Sequence, residues 1–113
     1  MPETLRSVGL PNDIRMLQIN NNDMAPYASR GDVVVYDPRI TRIQGNGVFV
    51  LQIDERYIVR RVQRGLSQSI RLICDNPLFG DELLDETDSS EITKGTSRFT
   101  VVGLVVGRLL ISG

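Results

Sequence analysis

The chain has 113 residues, with 13 Lys+Arg against 14 Asp+Glu, a formal net charge of −1 and no histidine. That length suits one domain, and 41% hydrophobic with 24% charged residues is enough to bury a core. The absence of histidine excludes a Ser-His-Asp triad and a His-based zinc site, and the single Cys74 excludes an internal disulfide or a cysteine metal cage. One free cysteine fits a reducing compartment, and no N-terminal apolar run of signal-peptide length is present. The sequence therefore predicts a cytoplasmic protein without cofactor, metal or membrane span.

In chain order, apolar residues alternate or cluster in short runs between turn residues, which is a strand signature. Arg15 to Ile19 is the first expected strand, and Asp32 to Tyr36 the second, opened by Gly31 and closed by Asp37-Pro38. Val48 to Ile53 and Tyr57 to Gln63 form an expected hairpin about the tight turn Asp54-Glu55. Ser69 to Cys74 follows, ended by Asp75-Asn76-Pro77. The acidic stretch from Asp81 to Lys94 reads as a surface loop. Phe99 to Ile111 closes the chain as one long or bulged strand, its glycines marking bends. Helix is confined to one short turn over Met24 to Ser29, capped by Asp23, and another over Thr4 to Leu10. The fold class is mostly β, with about seven strands and one or two short helices.

Two segments carry the chemistry: Asn21-Asn-Asp-Met-Ala-Pro26 and Tyr57-Ile-Val-Arg-Arg-Val62. Around them stand Gly31-Asp32 with the β-branched run that follows, Gly47-Val-Phe-Val-Leu51, and Cys74-Asp75-Asn76-Pro77. In that order and spacing the chain resembles the C-terminal domain of LexA-like and phage repressors, the self-cleaving serine peptidase family related to signal peptidase. Met24, Pro26, Gly31, Asp32, Arg61, Asp75, Asn76 and Pro77 are the positions that carry the resemblance. It covers most of the chain and implies a β-clip-containing, signal-peptidase-like domain over 1–113.

Residue by residue, the resemblance puts Asp23 where the family has its nucleophilic serine and Arg60 where it has its lysine. Asn21-Asn22 replaces the usual Gly-Asp, and Leu104 stands where a closing arginine is usual. A serine-lysine dyad needs a hydroxyl nucleophile and an amine that can lose its proton. Aspartate has no hydroxyl, and arginine stays protonated in proteins. The catalytic assignment is accordingly none. Alternation along 57–63 puts Arg60 on the face of Ile58 and Val62, pointing into protein, so a salt bridge to Asp23 is predicted. The competing reading has Asp23 capping a short helix while Arg60 meets water.

Other features have bland explanations. Cys74 reads as a small buried hydrophobe, Asp75-Asn76-Pro77 as a turn in which Asp and Asn bond their own backbone. Asp81, Glu82, Asp85, Glu86 and Asp88 lack calcium-loop spacing. What the resemblance implies about partners is self-association: such domains pair repressor subunits, with Phe99, Val101 and Val105 on the candidate dimer strand. DNA would be reached only through an N-terminal helix-turn-helix domain not in this chain, and an antirepressor or co-protease is a further candidate partner. The alternatives are a diverged peptidase that retains self-cleavage and a partner-binding regulatory module.

Overall fold

The computed structural model describes residues 13–43, 45–64, 69–88, 91–94 and 97–111. Among the described residues eight strands make up one antiparallel sheet: β1 (Arg15–Gln18), β2 (Val33–Asp37), β3 (Gly47–Ile53), β4 (Arg56–Arg64), β5 (Ser69–Ile73), β6 (Glu82–Asp88), β7 (Glu91–Lys94) and β8 (Ser97–Leu109). The mostly β expectation holds. Their spatial order is β1-β2-β8-β3-β4-β5-β6-β7, and β7 also pairs with β8. Strands β3 to β8 therefore close into a ring, while β2 and β1 extend from the end of β8.

The thirteen residues of β8 allow these three pairings. Its start pairs with β7, its middle with β3 and its end with β2. Two register shifts fall inside it: Leu51 faces Val101 but Val50 faces Gly103, and Tyr36 faces Val105 but Val35 faces Gly107. Val102 and Val106 are thus the extra bulge residues, each followed by a glycine, and the expected bends lie there. Gly103 is sterically required, because a Cβ there would sit 2.7 Å from the carbonyl oxygen of Asp37.

Both faces of the β3–β4 hairpin are covered. Phe49 and Leu51 join Val62, Ile70, Leu72, Phe99 and Val101 in one core. Val48, Val50 and Val59 face the other way, onto Met24, Ala28, Val34 and Tyr36. Burial on both sides explains why Val48 to Leu51 is continuously apolar. The hairpin turn falls at Asp54, which takes a left-handed backbone with φ of 55°, a conformation that aspartate tolerates.

Two expectations are corrected. The acidic segment read as a loop is the β6–β7 pair, with Leu84 opposite Ile70 on β5 and Ile92 opposite Phe99 on β8. Its charges argued against a strand, but the pairing that closes the ring outweighs local preference. Met24 to Ser29 is a turn with a single Ala28 N–H to Met24 carbonyl bond of 3.1 Å, not a helix. Pro26 biases the preceding residue away from the helical region, so the turn does not propagate; the Ala25–Pro26 peptide is cis. The turn expected over Thr4 to Leu10 lies outside the described residues. No helix of the described residues is long and apolar enough to cross a membrane.

Candidate functional site

The loop between β1 and β2 carries Asp23 and is pinned at both ends. Ile19 N–H donates to the Asp32 carbonyl at 2.7 Å and Gly31 N–H to the Ile19 carbonyl at 2.8 Å. Gly31 has φ of 96°, which a side chain would strain. Asp32, 3% exposed, accepts Ser29 N–H and Ile111 N–H, each at 2.8 Å, on its two carboxylate oxygens. Met24 and Ala28 plug the loop into the core at 2% and 0% exposure. Asp23 is left at the loop's edge, its N–H bonded to Asn21 Oδ1 at 3.0 Å. The Gly31-Asp32 and Met24 positions thus have structural work here: they close and anchor the loop.

Arg60 reaches Asp23 from β4. Its Nη2 lies 3.0 Å from Asp23 Oδ2, with the two side chains 15% and 21% exposed. Its Nη1 donates to the Val59 carbonyl at 2.8 Å. The predicted ion pair is present, and the reading in which Arg60 meets only water is set aside. Held this way, the two residues offer no hydroxyl and no strippable amine.

The adjacent Arg61 makes a different contact. Its Nε and Nη2 grip Asp75 Oδ1 and Oδ2 at 2.8 and 2.6 Å, a two-pronged fork. That hydrogen bonding holds the Arg61 guanidinium above its ordinary pKa. The Arg61 guanidinium carbon is 5.5 Å from the centre of the Tyr27 ring, and that of Arg108 is 4.5 Å away. Arg108 also donates to the Tyr27 carbonyl. Asn76 satisfies the local turn through Leu78 N–H on its Oδ1 and Phe79 N–H on its carbonyl, at 3.0 and 3.1 Å. It also crosses to the loop, N–H to the Asp23 carbonyl at 3.1 Å and Nδ2 to the Asn22 carbonyl at 2.9 Å. The turn chemistry expected for Asp75-Asn76-Pro77 is therefore half of what the segment does.

Sequence reasoning missed Tyr27 and Arg108. A signal existed for each: an aromatic stranded in a polar turn, and an arginine interrupting the apolar run of β8.

Two clefts adjoin along Asn21, Arg56 and Ile58, and the smaller one holds the pair. One of about 540 Å³ runs between residues 17–21 and the hairpin side chains Gln52, Tyr57 and Val59. The other, about 380 Å³, contains Asp23 and Arg60 together with Arg56, Ile58 and Glu82. Cys74 is half-buried, and burial pushes its thiol pKa up against the opposing pull of Arg60. No cluster of metal-ligating side chains exists among the described residues.

The residues expected on a dimer strand are turned inward. Phe99 and Val101 are 5% and 3% exposed inside the ring, and Val105 packs against the second core, so none of the three faces outward. The two bulges alter the simple alternation of β8, and the exposed large apolar residues at its end are Val106 and Leu109, followed just beyond it by Leu110 and Ile111.

Compared with known families, residues 3–106 match the one described as Peptidase S24-like. Among curated proteins none matches the chain. With that span matched and the β-rich fold in place, the chain belongs to the Peptidase S24-like family, the serine peptidase family of LexA and phage repressor C-terminal domains.

Proposed function

We propose that this chain is a regulatory, self-pairing domain of a phage-type repressor, built on a peptidase fold that does not hydrolyse peptides. The observation that carries the reading is the Asp23–Arg60 ion pair at 3.0 Å, at the positions the resemblance assigns to nucleophile and base. A guanidinium does not accept the proton that a nucleophilic step must shed, and a carboxylate bound to it has its charge already spent on that contact. DNA is reached through an N-terminal domain outside this chain, and self-pairing brings two such domains to two half-sites.

The surface for pairing is the end of β8. Val106, Leu109, Leu110 and Ile111 are 43–67% exposed there, with Met16 of the edge strand β1 also open. An open sheet edge beside apolar side chains favours a second chain over water. Light scattering at high micromolar concentration tests this. Twice the chain mass is expected, falling to one chain mass in Leu109→Asp; a monomeric wild type would end the pairing proposal.

A further inference from the structure

The loop that carries Asp23 is reached from the far end of the sequence. Ile111 N–H donates to Asp32 at 2.8 Å, and the other oxygen of that carboxylate takes Ser29 N–H inside the loop. Three residues earlier, Arg108 donates to the Tyr27 carbonyl and lays its guanidinium over the Tyr27 ring. Residues 108 and 111 thus grip the returning limb of the loop at two separate points, 27 and 32.

The side chains of the gripping segment are nevertheless in water. Leu110 is 55% and Ile111 67% exposed. Polar, directional contacts hold it down, the bonds to Tyr27 and Asp32 together with the last two β2–β8 pairs, Arg108 opposite Val34 and Leu109 opposite Val33, rather than burial of its own apolar atoms. Such a segment can detach without dismantling either core, which is the physical condition for local opening.

The loop in turn supports the segment next to Cys74. The Asp23 and Asn22 carbonyls accept both Asn76 bonds, and Asn76 lies two residues beyond Cys74. Contacts therefore run from the end of β8 to Tyr27 and Asp32, and from the Tyr27 ring through Arg61 to Asp75, the residue next to Cys74. Coupling of this kind needs a demonstrated response at the far end.

We propose that residues 108–111 form a releasable strap that holds the Asp23 loop closed, so that detaching it loosens the 75–76 turn and uncovers Cys74. The strap makes the geometry of the clefts responsive to events at the end of β8. It does not depend on the repressor reading: a monomeric chain would refute self-pairing and leave the strap standing.

The test uses the full chain and its only cysteine. Ile111→Pro withdraws the single N–H donor while altering a side chain that is mostly in water. Arg108→Leu removes both contacts to Tyr27, and Tyr27→Phe is the control, keeping ring and carbonyl. The readout is the rate of Cys74 alkylation by iodoacetamide, alongside urea unfolding of each variant. The thiolate is the reacting form, so a shielded thiol of raised pKa gives a slow wild-type baseline. Ile111→Pro and Arg108→Leu should each raise the rate about tenfold, the scale of losing one hydrogen bond to a charged acceptor or its equivalent. The rise should be flat in low urea, and Tyr27→Phe should match wild type. Unchanged rates in both variants would overturn the strap, as would a rise that follows global unfolding with the same urea slope. If Arg108→Leu fails to fold by circular dichroism, Ile111→Pro decides the matter by the same criteria.

Discussion

Arg60 and Arg61 are neighbours on β4, and each is paired with an aspartate, yet the two pairs are built differently. Arg61 meets Asp75 with two parallel bonds of 2.8 and 2.6 Å, and its planar head also faces the Tyr27 ring. Arg60 meets Asp23 through one bond of 3.0 Å and spends its other amino group on the Val59 carbonyl. The first is a fork that fixes a turn to a strand. The second joins two charges across a cleft. The turn-fixing fork and the cleft-spanning pair are thus separated onto opposite faces of one strand.

Breaking the fork should have the largest effect. Arg61→Ala strands Asp75, 17% exposed, and removes the stacking on Tyr27. A loss of about 3 kcal/mol is expected by urea unfolding, at the low end for a buried pair because Arg61 is 38% exposed. Asp23→Ala should lose about 2 kcal/mol, because one charge-assisted bond goes and Arg60 keeps its bond to Val59. Equal losses would mean the two contacts are energetically alike.

Lysine substitutions sharpen the contrast. Lysine is a point charge without a planar fork. Arg61→Lys should therefore lose about 1.5 kcal/mol, and Arg60→Lys less than about 1 kcal/mol, since a single bond of its kind can be remade by an ammonium. The reverse order would contradict the geometry described for β4.

A third pair supplies the smallest effect and a sign. Asp37 is held below its ordinary pKa chiefly by hydrogen bonding to Arg39, which lies out in solvent. A carboxyl depressed in the folded state gives stability that is complete above its unfolded value, near 3.8, and lost as pH falls through the lower folded value. Urea midpoints measured from pH 5 downward should therefore fall on the acid side of about pH 4. Arg39→Ala should make that decline shallower, with little change at pH 7.

Sequence periodicity made most of the sheet legible. Alternation marked β1 to β5 and β8, and glycines beside apolar runs marked the two bulges. It also placed Arg60 on an inward face, and the resemblance supplied the register that brought Asp23 opposite. The β6–β7 pair was hidden because its strands are acidic and are defined by partners on β5 and β8, not by their own composition. Contacts between distant segments were equally hidden. Nothing local to Asp75 names Arg61, and Tyr27 and Arg108 lie 81 residues apart. Phe99 and Val101 misled because a long apolar terminal strand looks like an interface until ring closure puts its first half indoors.

The proposed absence of peptide hydrolysis is tested most directly by intact-mass spectrometry of the wild-type chain during prolonged alkaline incubation. Raising the pH favours any latent amine or hydroxyl chemistry while leaving an arginine charged. An unchanged mass throughout is expected. A shortened product that forms in the wild type and is lost in Asp23→Ala or Arg60→Ala would contradict it.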